Sequence, residues 1–528
     1  MGWAVSTPVS SPSPTRRRGR CLEVAGAHRS GQMLRGDGGM TSDGAAGEAA
    51  TTSRDATVVV ASAGVLLTLV AFTTPLSTLV ETAAGVAAGA GPQAWILSAM
   101  SLGCAAGLMA GGAIGDERGR RRVFVIGAGL LAVTSLLAGL APNAGWLVAM
   151  RIGQGLGGAA VMACGLGLIG RAFPTGRERS RATAAWGAAL GGGVAVGPLV
   201  AAALTAVGGW RLPYVVIAAA SVVLAVTARL LLAESRAAAP RPVDVLGTVL
   251  LPGGVAALLA GLVQGRSDWT APDTVVLLVA AIALLAGFVV VEHHSRHPML
   301  DLGLFRRPDF VGATVAAVGA GAGVLALANF VPTVLERGLG VSTMLASVVL
   351  LAWSATSAVT AYAARWFPET VTPRALLVGG LAGVTVGQLS LLGLGVESSP
   401  ARLVPGLLVA GAANGVLNAA LGRQAVASVP AERSGMGSGA NNTARYLGSA
   451  LGIAICAVLV TSGGTRPASI LAGWNVAVVA TAAISAVCAL VALAARDHHT
   501  AETSTRPEGD PAAATPATAP AGKDTHDG

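Results

Sequence analysis

The chain has 528 residues, of which 53% are hydrophobic and only 12% are charged, with a mean hydropathy of +0.67. That charge content is about half the roughly 25% of a soluble domain. A water-soluble fold of this composition would expose large apolar patches, which excludes a soluble enzyme or binding domain. The net charge of +9 does not mark a nucleic-acid surface, because the arginines fall in short loops between apolar stretches instead of on one basic face.

Residues 1–55 are polar and carry the basic run Arg16, Arg17, Arg18 and Arg20. No apolar core of a secretory signal follows that run. The segment is predicted to be a disordered tail, with Met33 and Met40 as alternative starts and a faint likeness to an organellar transit peptide. Fourteen apolar spans follow, each of about 20 residues as a bilayer requires. They cover 57–80, 93–115, 122–141, 145–171, 182–206, 212–232, 245–264, 274–292, 310–332, 342–364, 374–394, 402–424, 434–461 and 470–494. From Arg496 the chain becomes rich in Ala, Thr and Pro and is again predicted to be disordered. The fold class is therefore all-α, a polytopic membrane protein. Cys104, Cys164, Cys456 and Cys488 fall inside spans and Cys21 in the tail, with no CxxC pair. They read as buried small apolar residues, and no metal site is expected.

Arginines set the orientation. Alternate loops hold Arg118, Arg120, Arg121 and Arg122, then Arg171, Arg177, Arg179 and Arg181, then Arg229, Arg236 and Arg241, then Arg296, Arg306 and Arg307, and later Arg365, Arg374, Arg423 and Arg433. The intervening loops hold only Arg211, Arg266, Arg337, Arg402 and Arg466. By the positive-inside rule the first set and both termini are cytoplasmic.

The loop after the second span reads Gly111-Gly112-Ala113-Ile114-Gly115-Asp116-Glu117-Arg118-Gly119-Arg120-Arg121-Arg122. Glycines allow two helix ends to pack closely, and an Asp at this position can cap a neighbouring helix and pair with arginine. Such a cluster would act as a latch that holds one side shut in one state and releases it in the other. The run resembles the signature loop of the major facilitator superfamily. The fourth span carries Arg151, Gln154 and Gly158 on one face at i, i+3, i+7, similar to that family's second motif. An arginine in a span faces a cavity unless it snorkels to the interface. The same glycines match a dinucleotide fingerprint, but no strand precedes them.

In the fifth span Gly187, Gly191, Gly193, Gly197 and Pro198 resemble the family's antiporter motif, with Ala201 and Ala202 where the family usually has glycines. Four-residue glycine spacing makes a groove for a partner helix. Asp244–Gly247, His297–Asp301 and Pro430–Gly435 resemble loops of fourteen-span drug exporters. In the second half Asn414 and Asn418 share a face, as do Asn441 and Arg445. Polar groups at membrane depth either serve function or pack helices. The sequon at Asn441 lies in or beside a span and is discounted.

The resemblance implies the major facilitator fold, with two six-helix halves at 56–235 and 309–495 and two inserted helices within 236–308. It also implies an exporter of a small drug-like or antibiotic molecule, acting as a monomer without cofactors and not as an enzyme. A metabolite facilitator on the same fold and a non-transporting sensor stay open as alternatives. Drug exporters of this type usually carry an Asp in the first span, and Val65–Pro75 has none. The acids nearest the spans are Glu81, Asp116, Asp244, Glu292, Asp309 and Glu336, all at span ends. A substrate that is neutral or anionic is therefore expected, with any proton coupling through Glu81 or Asp116.

Overall fold

The computed structural model describes residues 42–173, 176–236, 244–265, 268–295, 298, 300, 302–367, 371–427, 434–461 and 463–495. The tails 1–41 and 496–528, with Cys21, Arg241, Arg266, Arg296, His297, Met299, Asp301 and Pro430–Arg433, lie outside the described residues. The helices are α1 (Ser42–Gly85), α2 (Ala90–Arg118), α3 (Arg120–Gly139), α4 (Ala144–Ala172), α5 (Gly176–Gly208), α6 (Leu212–Leu231) and α7 (Val245–Gly265). They continue with α8 (Pro272–His294), the interrupted α9 (Pro308–Leu339), α10 (Thr343–Ala363), α11 (Pro373–Leu389), α12 (Leu403–Ala427), α13 (Ser434–Thr461) and α14 (Pro467–Ala494).

Thirteen of these helices are long and apolar enough to cross a membrane among the described residues. The eleventh expected span, 374–394, is the exception. Its helix has 17 residues. Beyond it the chain turns at Gly393 with φ +79°, and the side-chain oxygen of Asn475 accepts from the Gly393 and Leu394 amides at 2.9 and 3.3 Å. The expected disorder up to residue 55 also needs correction. Helix α1 starts at Ser42.

Pro and Gly shape α9 locally. In α9 a π-turn at Ala320–Leu325 precedes a break at Asn329–Phe330. Pro332 cannot donate to the carbonyl four residues back. The π-turn lies where a Cβ on Gly321 would collide with the backbone of Arg445 and sit 2.6 Å from the Ser449 amide nitrogen in α13. The two backbones therefore touch there.

The packing repeats with an offset of eight helices. Helix α2 packs on α4, and α3 on α4 and α6, while α10 packs on α12, and α11 on α12 and α14. Two seams join these groups, α2 against α13 and α5 against α10, and each becomes the other under the same offset. Helices α7 and α8 pack on each other, and α7 also rests on α2 and α13. Only 17% of the most apolar stretch of α8 is buried by protein, so this pair faces lipid.

The largest apolar cluster lies at the end of the bundle away from the Asp116 loop. It draws Leu79 from α1, Ile96 from α2, Trp210 beside α6, Val331 and Leu335 from α9, Leu350 from α10 and Trp474 from α14. This end is closed by packing from both groups of helices.

Candidate functional site

A single residue, Gly119, separates α2 from α3. Its φ is +117°, and a Cβ there would lie 2.7 Å from the carboxyl carbon of Glu234. The positive φ favours glycine, and a side chain there would have to displace the Glu234 carboxyl. Arg120 donates from Nε to Asp116 Oδ1 at 2.8 Å, and its terminal nitrogen lies 2.7 Å from the same oxygen. Its other nitrogen donates to the Gly167 carbonyl of α4 at 2.9 Å. The loop thus ties the ends of α2 and α4.

The expected helix-capping role of Asp116 falls to another residue. The Arg121 amide donates to Glu234 Oε1 at 3.0 Å. The Arg120 amide donates to the Ser235 carbonyl at 2.8 Å. The guanidinium groups of Arg121 and Arg122 each lie 3.7 Å from Glu234 Oε2. Glu234 therefore caps α3 from the chain just past α6, where negative charge is favoured at a helix start. Sequence reasoning missed it, although it is the single acid between Arg229 and Arg236. Arg118 is exposed.

Arg151 is fully buried and does not snorkel. It donates to the carbonyls of Ala71 at 2.7 Å, Phe72 at 3.2 Å and Ile96 at 3.3 Å, and to Gln154 Oε1 at 3.0 Å. Gln154 in turn donates to Ser135 at 2.8 Å. The Ala71 contact has a simple origin. Residue 75 is proline, inside α1, so the Ala71 carbonyl has no helical donor and Arg151 supplies one. No acidic partner of Arg151 occurs among the described residues.

In the later helices the expected polar faces separate. Asn414 donates to Ser357 at 2.8 Å and Asn441 to the Ala313 carbonyl at 3.1 Å, so both lock neighbouring helices. Asn418 and Arg445 come together instead. Arg445 donates to Asn418 Oδ1 at 3.2 Å and to Asn442 Oδ1 at 3.0 Å. The adjacent Tyr446 crosses the seam, with its hydroxyl 3.9 Å from Met162 Sδ and its ring edge-on to Phe72 at 5.8 Å. Tyr446 was absent from the expected site.

Of the α5 glycines, Gly193 and Gly197 form the expected groove. A Cβ on Gly193 would sit 2.6 Å from the Leu66 carbonyl oxygen, and one on Gly197 would collide with Thr73 Oγ1. Both receive α1. Gly191 faces Ala358 of α10 instead, and Gly187 faces open space. Pro198, Ala201 and Ala202 are buried, so α5 is close-packed where the family usually has glycines. Glu81 lies in the last turns of α1 and is exposed, whereas Glu292, also near a helix end, is 3% exposed.

The profile described as Major Facilitator Superfamily matches residues 57–453. Multidrug resistance protein Stp of Mycobacterium tuberculosis is 30% identical over 382 residues, 72% of this chain and 69% of its own. Puromycin resistance protein pur8 of Streptomyces alboniger is 31% identical over 392 residues, 72% of this chain and 78% of its own. Among solved structures, a bacterial homologue of the human drug peptide transporters aligns with a TM-score of 0.60 at 16% identity, covering 84% of this chain and 98% of its own, a likeness of fold alone. With an all-helical bundle, the Asp116 loop and the buried Arg151 in place, the chain belongs to the major facilitator superfamily and is a transporter.

Proposed function

We propose that this chain is a secondary active exporter of a small drug-like or antibiotic molecule, working by alternating access across the cell membrane. Its relatives carry names of multidrug and puromycin resistance. One structural observation carries the reading. Helices α1–α6 and α9–α14 are bonded to each other at the end away from the Asp116 loop, by Ser77 with Ser347 at 2.7 Å and by Arg337 donating to Gln93 at 2.9 Å. Toward the loop end, Gly187 and Ala188 of α5 are exposed. Closure of the two groups against each other at the end away from the Asp116 loop is one half of an alternating-access cycle.

In this reading 56–235 and 309–495 are the two moving halves of a functional monomer, and 236–308 is the insert. Both termini and the Asp116 loop are cytoplasmic. The substrate is neutral or anionic, and proton coupling runs through Glu81 or Asp116 at the cavity mouths. Everted membrane vesicles test the proposal. Uphill accumulation of an antibiotic that depends on this chain supports export. Equilibration without accumulation identifies a facilitator, and no flux at all identifies a non-transporting protein.

A further inference from the structure

At the closed end each helix group brings one acid to the seam. Helix α1 runs toward that end through Ser77 to Glu81, and α10 runs away from it from Thr343 to Ser347. Ser77 meets Ser347 at 2.7 Å. Glu81 stands one turn beyond Ser77, and Thr343 one turn before Ser347, so both lie in the layer next to that bond. The chain turns between α9 and α10 at Gly340, with φ +69°, and the Thr343 hydroxyl donates to the Glu336 carboxylate. Glu336 is thereby held where the charge of Glu81 acts on it. The cation that acts on Glu336 is its neighbour Arg337, which donates to Gln93 of α2 at 2.9 Å. Arg466, at the start of α14, is exposed. Among the described residues no ion pair involves Glu81, Glu336, Arg337 or Arg466.

We infer that Glu81 and Glu336 form a proton-binding pair across the seam, and that this end shuts when the pair holds one proton and is pushed apart when both acids are ionised. Like charges brought together disfavour full ionisation. The proton belongs to the pair and resides on Glu336, which is half-buried where Glu81 is exposed. It comes from water at that end and returns there, and only an O–H bond forms or breaks. The Thr343 hydroxyl can donate to the carboxylate or accept from the acid, so it serves both states. Closure brings the acids together and strengthens their hold on the proton. The pair's contribution to closure is therefore full at low pH and is lost as pH rises. The Ser77–Ser347 and Arg337–Gln93 bonds contain no acid, so they close the seam without responding to pH. The inference rests on the exporter reading for its place in the cycle, and it gives Glu81 a partner from the other helix group.

Val207 in the last turn of α5 and Val396 in the loop after α11 are exposed at this end, one in each helix group. Val207→Cys with Val396→Cys, in a full-length background lacking other cysteines, allows spin labels to report their separation in the purified protein. The short separation is expected to dominate at about pH 5 and to lose at least half of its population by about pH 8.5. Glu336→Gln should keep the short separation at both extremes, Glu336→Asp should retain the response to pH, and Glu81→Gln should weaken it. A separation indifferent to pH, a response that survives Glu336→Gln, or a Glu336→Gln protein fixed in the long separation overturns the inference. If Glu336→Gln fails to fold, Glu81→Gln decides, and an unchanged response in it defeats the pair. Flux into everted vesicles tests the export reading separately. Closure that follows pH without any flux defeats that reading and leaves the pair standing, whereas flux with closure indifferent to pH does the reverse.

Discussion

Ser77 of α1 and Ser347 of α10 share a hydrogen bond of 2.7 Å across the line where the two helix groups meet. Both side chains are buried, at 1% exposure each, and the contact is small, neutral and dry. It can be broken without exposing a charge, which suits a closure that must reopen in every cycle. Ser77→Cys with Ser347→Cys is expected to form a disulfide on mild oxidation and to slow transport at least tenfold, with recovery under reductant. Unchanged turnover in the oxidised double variant would show that these ends never part.

The Asp116 pair separates function from stability. Asp116 is partly exposed in its pair with Arg120, at 41%, and an exposed pair of this kind is worth about 0–1 kcal/mol. Asp116→Asn should therefore leave the melting temperature nearly unchanged while lowering transport several-fold. Gly119→Ala should behave in the opposite sense. Its φ of +117° and the Glu234 carboxyl beside it impose strain and contact costs of about 1–3 kcal/mol. That variant should lose thermal stability in detergent, and an unchanged melting temperature would refute the proposed crowding.

Arg151 and Pro75 make a thermodynamic pair. Arg151→Met leaves the Ala71 carbonyl buried and unpaired, one of several lost bonds, with an expected total cost of about 3 kcal/mol or more. Pro75→Ala restores a backbone N–H four residues after Ala71. The double variant should be less destabilised than the sum of the single changes, by about 1 kcal/mol. Strict additivity in thermal or denaturant unfolding would contradict the origin assigned to that contact.

Topology has a direct check. Glu117 and Glu397 are both exposed and lie at opposite ends of the bundle. In a background lacking other cysteines, Glu397→Cys should react with an impermeant maleimide added to intact cells, and Glu117→Cys should react only after permeabilisation. The reverse pattern would invert the orientation drawn from the arginines.

Most helix limits could be read in the sequence because a bilayer demands apolar runs of a fixed length, and those runs end at local signals. Asn143, Ser342 and Thr372 each cap the helix that follows by accepting a backbone N–H, and each is visible as a polar residue before an apolar run. The Asp116 loop and the Arg151 face were legible as local spacings. Glu234 was not, because it caps a helix start 113 residues away in the chain. Tyr446 was not, because a seam between helices has no sequence period of its own. The eleventh span ended early for a similar reason. Its last turn is replaced by a loop held from α14 by Asn475.

The α7–α8 hairpin breaks the symmetry of the two seams. Val255 and Leu259 of α7 share a cluster with Leu102 of α2 and Ala450 and Ala454 of α13, so a third helix roofs the α2–α13 seam. Among the described residues no helix of the insert packs on α5 or α10 as α7 packs on α2 and α13. Parting the first seam drags or uncovers a hairpin, whereas parting the second trades helix for acyl chain and nothing else. The bundle therefore has a stiff flank and a compliant one, and a molecule dissolved in the surrounding lipid meets an unroofed edge on one side only.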